Sequence, residues 1–151
     1  MPDLEVVSYR PDPSEFAWTF GGVRPVRTIR PGTVLEVWTE DAFGGRVRGP
    51  DDLVTRVIEF PFVNPQTGPF YVEGAEPGDT VAVHFVSITP SRDYAASSTI
   101  PFFGALTATG PVHTASLQPP LEERVWIYDV DRASWTVTYR ASRGDYSVVL
   151  P

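Results

Sequence analysis

The segment from Asn64 to His84 constrains this chain most, because it surrounds three carboxylates with three prolines and three glycines. Proline fixes φ and glycine permits positive φ, so together they restrict the backbone to a small set of shapes. Residues typical of β-strands, Thr80–Ile88, follow the Pro77-Gly78 pair directly. We therefore expect a rigid loop joined to a strand, and loops held by a rigid scaffold often carry binding and catalytic groups.

Short runs of β-branched and aromatic residues recur along the chain between turn-forming residues. The 16 prolines and 12 glycines are spread through all 151 residues, which is typical of frequent turns between short strands. We predict a single all-β domain over residues 1–151, a β-sandwich or jelly-roll-like fold with long Pro/Gly-rich loops and at most one or two short helices. The predicted strands are Val34–Thr39, Phe70–Val72, Thr80–Ile88, Val125–Tyr128, Trp135–Tyr139 and Ser147–Leu150.

The predicted strand Thr80–Ile88 is apolar on both faces. One face would carry Val81, Val83 and Phe85. The other face would carry Ala82, His84, Val86 and Ile88. Such a strand is typical of the centre of a sheet that is covered on both sides. We accordingly expect His84 to be a hydrogen-bonded histidine of the core rather than a metal ligand.

Two Pro-Gly turns introduce similar segments, Arg30–Val37 and Glu76–Val83. Proline suits the second position of such a turn, and glycine accepts the positive φ of the third position. Shared turn chemistry explains this similarity better than an internal duplication does. A short helix is expected to begin near Asp51-Asp52, where the aspartates could cap its first turn.

The segment Thr89–Gly110 is predicted to be a long loop. Most of its residues are small, polar or typical of turns, and it carries an apolar cluster at Ile100–Phe103. Two interpretations remain open: the loop borders a ligand site, or it simply caps the core.

Composition excludes several classes of function. The net charge is −7 and no basic stripe is present, which argues against a nucleic-acid partner. No apolar run approaches the roughly 20 residues that cross a bilayer, and the amino terminus lacks the order of a secretory signal. We expect a cytoplasmic protein. All 12 basic residues are arginine and cysteine is absent, so thiolate and lysine chemistry is excluded.

Carboxylates are the plentiful reactive groups in this chain. Asp41 precedes the Gly44-Gly45 pair, while Glu73 and Asp79 flank the second Gly-rich loop. A carboxylate among glycine amides can act as a general base on water, with nearby N–H groups stabilising an oxyanion. The alternative is that Asp41 and Asp79 only cap turns through hydrogen bonds to the backbone.

The residues that could hold a metal are few besides the carboxylates. The two histidines, His84 and His113, have no local partners and make a poor zinc signature. Any divalent metal would have to be held by oxygen ligands.

Two segments, Glu40–Gly45 and Asn64–Asp79, closely resemble the acetamidase/formamidase family, and Thr99–Gly104 supports the resemblance. That family hydrolyses short linear amides to a carboxylic acid and ammonia, and its N-terminal portion is sandwich-like. The resemblance implies a small-molecule amide as substrate. The site residues it implies are Asp41 and Glu73 as catalytic carboxylates, with Gly44, Gly45, Gly74 and Phe102 near the substrate.

The resemblance covers nearly the whole chain but only the N-terminal half of the family's length. Many members carry a histidine before the first tryptophan, where this chain reads Ala17-Trp18. Nothing here matches the family's C-terminal segment rich in Gly, Asp, His and Glu. Two hypotheses follow: an amide hydrolase, or a non-catalytic β module that complements a separate C-terminal half. Homo-oligomers are also expected if apolar surface is exposed.

Overall fold

The structure, a computed structural model, describes residues 5–101, 103 and 122–151. Regular structure in these ranges is almost entirely β, which confirms the predicted all-β class. The strands are β1 Val6–Tyr9, β2 Arg27–Ile29, β3 Val34–Val37, β4 Phe70–Val72, β5 Tyr94–Thr99, β6 Arg124–Asp131, β7 Thr136–Arg140 and β8 Ser147–Leu150. A 3-10 turn at Pro13–Glu15 and a four-residue helix, α1 Val54–Val57, complete the regular elements. In the ranges described, no helix is long and apolar enough to span a membrane.

The chain divides into two compact units. Unit 1 comprises residues 1–45 and 60–88, and unit 2 comprises residues 46–59 and 89–151. Each unit contains its own sheets, with β1–β4 in unit 1 and β5–β8 in unit 2.

Unit 1 contains two parallel strand pairs, β1 with β3 and β2 with β4. Parallel neighbours need long connections, which the loops of this unit supply. Across the first pair, the Ser8 hydroxyl donates a hydrogen bond of 2.6 Å to the carboxylate of Glu36. The Tyr9 ring of β1 meets the Phe70 ring of β4 edge-on, with 5.5 Å between ring centres. This aromatic contact joins the two pairs.

Unit 2 is built around one antiparallel sheet with the strand order β5-β6-β7-β8. The long strand β6 pairs with β5 on one side and with β7 on the other. The hydroxyl groups of Ser97 and Tyr128 lie 2.8 Å apart across β5 and β6. The guanidinium of Arg140 donates to the carboxylate of Asp129 at 2.9 Å across β6 and β7. Antiparallel strands joined in sequence explain why this sheet is the most regular part of the chain.

Few side chains are buried in the described ranges. The buried hydrophobic residues there are Ala17, Val47, Val54, Ile58 and Val125, and no polar residue is buried among them. Val47 and Val54 are the most enclosed, at 1% and 0% exposure. Most of this small core therefore lies in unit 2.

The prediction of a central strand over Thr80–Ile88 is wrong. These residues form no strand, and each of them is exposed. The composition suits a strand, but a strand also requires a neighbour to receive its backbone hydrogen bonds. His84 is exposed too, so the expectation of a core histidine is also wrong.

Strand β5, Tyr94–Thr99, lies inside the segment Thr89–Gly110 that was predicted to be a loop. Its alanines and serines have weak β preference, so their pattern does not predict a strand. It forms because β6 pairs with it along its whole length. Pairing with a neighbour thus decided the conformation of this segment.

The short helix near Asp51-Asp52 is present, but its predicted cap is not. Helix α1 begins after Leu53, and no side chain caps it. Asp52 instead accepts hydrogen bonds from the backbone N–H groups of Arg48 and Gly49 in the preceding turn. The aspartate therefore stabilises the turn before the helix rather than the helix itself.

Candidate functional site

Asp41 organises the turn that follows strand β3. Its Oδ1 atom accepts hydrogen bonds from the N–H of Phe43 at 2.7 Å and from the N–H of Gly45 at 3.1 Å. Its carbonyl accepts a third, from the N–H of Gly44 at 3.0 Å. A short carboxylate side chain satisfies the backbone donors of such a turn without help from distant residues. Asp41 therefore caps this turn, and its catalytic role stays a prediction.

The Asp41 turn is tied to the start of the Pro/Gly-rich segment. The N–H of Asn64 donates to the carbonyl of Ala42 at 2.9 Å. Asn64 itself has a φ of 57°, a left-handed conformation that asparagine accepts more readily than most residues. The two segments in which the family resemblance was recognised therefore meet through a backbone hydrogen bond.

Glu73 and Gly74 occupy the centre of a turn directly after β4. The N–H of Ala75 donates to the carbonyl of Val72 at 3.1 Å, and Gly74 has a φ of 81°. The Glu73 carboxylate lies 3.4 Å from the guanidinium of Arg30, and both side chains are mostly exposed. Such an exposed ion pair contributes little to stability. The pairing places an arginine beside the carboxylate at the surface of unit 1.

The two Pro-Gly turns have the geometry that was predicted for them. In each, the N–H of the fourth residue donates to the carbonyl of the first at 3.1 Å. Gly32 and Gly78 occupy the third positions with φ of 86° and 103°, values that suit glycine. Asp79 caps its own turn, because its carboxylate accepts from the N–H of Glu76 at 2.8 Å.

A cavity of about 250 Å³ lies beside the Pro/Gly-rich segment in unit 1. Reciprocal backbone hydrogen bonds between Ala17 and Gln66, at 3.0 and 2.8 Å, hold its two walls together. The Thr67 hydroxyl donates to the carbonyl of Trp38 at 2.7 Å and fixes the second wall. The lining residues are Ala17, Thr19, Phe20, Gly21, Gln66, Thr67, Gly68 and Pro69.

The cavity lining does not include the carboxylates or glycines that were predicted from the sequence. Asp41, Gly44 and Gly45 come together in one turn, whereas Glu73 and Gly74 form another. Phe102 and His113 lie outside the described residues. The polar lining groups of Gln66 and Thr67 were not singled out as site residues, although both belong to the Asn64–Asp79 motif.

A phenol lies near the start of unit 1. In the described part of the chain, the buried hydroxyl oxygen of Tyr9 has no hydrogen-bond partner. Burial raises the pKa of Tyr9 above its usual value of 10.0, and the negative charge of Glu15 raises it further. Tyr9 therefore stays a neutral phenol at physiological pH and is unsuited to act as a base.

The described residues do not supply a ready metal site. No group of three or more His, Asp or Glu side chains converges within residues 5–101, 103 and 122–151. Hard cations such as Mg²⁺ and Ca²⁺ need several oxygen ligands, and a zinc site needs three or four converging ligands. These residues by themselves therefore do not fit the divalent ion considered from the sequence.

This chain is similar to one protein family and to two solved structures. The model of the Acetamidase/Formamidase family matches residues 17–139. The chain is 35% identical to an acetamidase from Yersinia enterocolitica, with a TM-score of 0.79 over 99% of this chain and 44% of that one. An acetamidase from Bacillus halodurans shares the fold at 19% identity, with a TM-score of 0.63 over 93% and 42% of the two chains. Comparison with curated proteins found no match.

The chain spans less than half the length of either acetamidase, as these coverages show. The family match nevertheless extends over most of its 151 residues and includes both the Asp41 turn and the Asn64–Asp79 segment. This chain belongs to the acetamidase/formamidase family.

Proposed function

We propose that this chain forms part of an amide hydrolase that acts on short linear amides. The reaction adds water across the carbon–nitrogen bond, giving a carboxylic acid and ammonia. The observation that carries the proposal is the family match over residues 17–139, together with 35% identity to an acetamidase. These 151 residues contain no cysteine or lysine, so a carboxylate-assisted attack of water is the hydrolytic chemistry proposed for them.

Asp41 and Glu73 are the proposed catalytic carboxylates. Either could take a proton from the attacking water, and the resulting acid could return that proton to the departing nitrogen. The Asp41 carboxylate is held in one orientation by the N–H groups of Phe43 and Gly45. The Glu73 carboxylate lies 3.4 Å from the Arg30 guanidinium. The fixed orientation of Asp41 supports the proposal, because catalysis requires the base to be positioned before the substrate arrives.

The glycines would serve the substrate in two different ways. The N–H groups of Gly44 and Gly45 already bond to Asp41, so these residues would admit substrate by lacking side chains. Among the described residues, apart from the glycine itself and its two chain neighbours, none has an atom within 4 Å of the position that a Cβ on Gly44 or Gly74 would occupy. The N–H of Gly74 forms no hydrogen bond with another described residue and is the better candidate to stabilise an oxyanion. Phe102 is proposed to cover the substrate.

Ammonia release provides the direct test. The purified chain is incubated with formamide and with acetamide, with and without added divalent metal. If the chain alone contains a working site, ammonia should accumulate above the buffer control. The absence of ammonia under all four conditions would contradict independent catalysis by this chain.

Substitution of Glu73 tests the assigned residue in whichever preparation is active, the chain alone or the chain with a complementing half. Glu73→Gln keeps the shape and removes the charge, and it should lower the rate by about 100-fold or more. Glu76→Gln is the matched control, since Glu76 lies in the adjacent turn and is similarly exposed. Equal rates for the two variants would remove Glu73 from the mechanism.

A second candidate function is a non-catalytic β module that assembles with a complementary C-terminal half or with itself. The observation that favours it is the exposure of large apolar side chains over Thr80–Ile88, including Phe85 at 72%. Isolated proteins rarely leave such an apolar run uncovered. Sedimentation tests the candidate: a clean monomer that binds no apolar dye would contradict it.

A further inference from the structure

The cavity beside the Pro/Gly-rich segment is small and uncharged. None of the described residues that line it is acidic, basic or a histidine. Its volume of about 250 Å³ is smaller than the roughly 300–1,000 Å³ of sites that hold drug-sized ligands. An unpaired charge is costly to remove from water. The cavity therefore suits a neutral molecule with few heavy atoms.

One wall of the cavity, formed by Gln66–Pro69, has hydrogen-bonding groups that are not paired within the protein. In the described part of the chain, the side-chain carboxamide of Gln66 forms no hydrogen bond. The N–H groups of Thr67 and Gly68 form none with these residues either. Gly68 is buried, and a buried N–H group nearly always has a partner in the protein or in solvent. Because all three residues line the cavity, a molecule inside it can supply the missing hydrogen bonds.

The other wall is a short loop whose backbone is fixed. The Thr19 hydroxyl donates a hydrogen bond to the carbonyl of Gly21 at 2.8 Å, and the N–H of Gly21 donates to the carbonyl of Thr19 at 3.1 Å. Phe20 lies between these two residues and is 98% exposed, although it lines the cavity. Its ring therefore provides apolar surface at the rim, which the alkyl group of a ligand could cover.

The cavity is connected to the Asp41 turn by hydrogen bonds on both sides of that residue. The Thr67 hydroxyl donates to the carbonyl of Trp38, which precedes Asp41 in the chain, at 2.7 Å. The N–H of Asn64 donates to the carbonyl of Ala42, the residue after Asp41, at 2.9 Å. These bonds hold the cavity wall in a fixed relation to the proposed catalytic carboxylate.

We propose that this cavity is a binding site for a small neutral primary amide, which the Gln66 carboxamide and the N–H groups of Thr67 and Gly68 recognise. A primary amide offers N–H donors and a carbonyl acceptor, so it can pair with a second carboxamide through both. The carboxylate ion that hydrolysis forms has no donor, and the net charge of −7 repels it. The choice of an amide as ligand rests on the proposed function, whereas the site itself rests on the cavity.

Titration of the isotopically labelled chain with acetamide, followed by NMR of the backbone amides, tests the proposal. The resonances of Gln66, Thr67 and Gly68 should shift and saturate. We expect a dissociation constant of about 1–10 mM, because a ligand with few heavy atoms binds weakly. Sodium acetate should bind at least about tenfold more weakly, since it cannot donate to Gln66. Shifts that rise without saturation, or equal binding of acetate and acetamide, would overturn the proposal.

Two substitutions test the residues that form the site. Gln66→Met keeps the length of the side chain but removes its hydrogen-bonding groups, and it should weaken acetamide binding by about tenfold or more. Thr28→Val is its control, since Thr28 is an exposed residue of β2 outside the lining and also loses a polar group. Phe20→Ala should weaken binding about three- to fivefold without loss of fold, because the ring is exposed. Phe85→Ala, at another exposed phenylalanine of unit 1, should leave binding unchanged.

The variants and the ammonia assay together distinguish this site from the proposed function. Unchanged affinity in both Gln66→Met and Phe20→Ala would overturn the site. Saturable binding of acetamide that depends on Gln66, without release of ammonia, would support the site and contradict independent hydrolysis by this chain. Ammonia release that both substitutions leave unchanged would support the hydrolase and overturn the site.

Discussion

The Asp41 carboxylate stabilises a turn of unit 1, and the same carboxylate is proposed to be catalytic. One carboxylate oxygen of Asp41 accepts hydrogen bonds from two backbone N–H groups. The Asp79 carboxylate accepts one such hydrogen bond in the turn at Glu76–Asp79. The sequence alone allowed both a catalytic role and a capping role for these aspartates, and these hydrogen bonds show the capping role. Catalysis by Asp41 stays a prediction, because a carboxylate that shapes a turn is also a carboxylate fixed in position.

Two substitutions of Asp41 separate these roles. Asp41→Ala removes the acceptor and leaves the N–H groups of Phe43 and Gly45 unsatisfied, so it should cost about 1–2 kcal/mol in the free energy of unfolding. Asp41→Asn retains a carbonyl oxygen in the same place and should preserve most of that stability. It should nevertheless lower ammonia release from an active assembly by about 100-fold or more, because the charge is gone. Urea denaturation and an ammonia assay measure the two effects, and full activity in Asp41→Asn would restrict this residue to the turn.

Glycine is required at Gly78 by its φ of 103°. Gly78→Ala should cost about 1 kcal/mol or more of unfolding free energy, although no described residue beyond its chain neighbours lies within 4 Å of the added methyl group. Gly49→Ala is the matched control, since φ at Gly49 is not in the positive range and its Cβ would meet Asp52 at an ordinary 3.8 Å. Urea denaturation should separate the two variants, and equal costs would show that φ is not the cause.

At the scale of elements, the hairpin between β6 and β7 shows how a local cap supports a sheet. The Asp131 carboxylate accepts hydrogen bonds from the N–H groups of Ala133 and Ser134, and from the Ser134 hydroxyl at 2.8 Å. Bonds from the Ser134 hydroxyl and then from the two backbone N–H groups lower the pKa of Asp131 below its usual value of 3.8. The folded state therefore favours the ionised carboxylate.

The lowered pKa gives the hairpin a predictable dependence on pH. The contribution of Asp131 to stability is complete above its ordinary, unfolded pKa of 3.8 and is lost as pH falls through the lower folded value. The difference in Tm between the unchanged chain and Asp131→Ala should thus be constant near neutral pH and should shrink below about pH 4. Thermal unfolding followed by circular dichroism measures this difference.

Asp145→Ala provides the control for this pH series. The Asp145 side chain forms no hydrogen bond with another residue in the described ranges, so its removal should not produce the same loss of Tm at neutral pH. A difference for Asp131→Ala that stays unchanged down to pH 3 would contradict the assigned role of its charge.

At the scale of the whole molecule, packing is divided between two compact units, and the most enclosed side chains belong to unit 2. Val54 is fully buried, whereas Val149 in β8 is 59% exposed. The side chain of Thr55 and its N–H both bond to Glu123, the residue before β6, which links helix α1 to the sheet of its own unit. A substitution that weakens packing in this core should therefore destabilise unit 2 before unit 1.

Val54→Ala tests that division. Removal of buried methyl groups should cost about 2 kcal/mol, while Val149→Ala should change stability by less than about 0.5 kcal/mol. Hydrogen exchange should accelerate in β5–β8 of the Val54 variant and remain unchanged in β1–β4. Equal acceleration in both units would show that the molecule opens as one cooperative body.

The elements that were predicted correctly are those whose conformation depends on residues adjacent in the chain. The turns at Pro31-Gly32 and Pro77-Gly78 were foreseen because proline and glycine fix their own backbone angles. Strands β4 and β8 were placed with their observed bounds because their residues are strongly β-forming. Strand β5 was missed because its small residues carry no such preference.

The candidate site could be predicted only in part, for a related reason. The motifs around Asp41 and Asn64 were recognised separately, and only the folded chain shows the hydrogen bond between Ala42 and Asn64 that joins them. The cavity beside Gln66 depends on the pairing of that residue with Ala17, far away in sequence. Contacts between distant residues of this kind leave no local pattern.

The all-β class, the turn geometries and the family could be predicted from local sequence, since each depends on side chains acting on their own backbone or on a motif read in order. Pairing in the folded chain selected which β-forming segments became strands. Arg124–Asp131 has partners on both sides, while Thr80–Ile88 has none among the described residues. The physical reason is that a strand is completed by hydrogen bonds to a neighbour, and no segment contains that neighbour within itself.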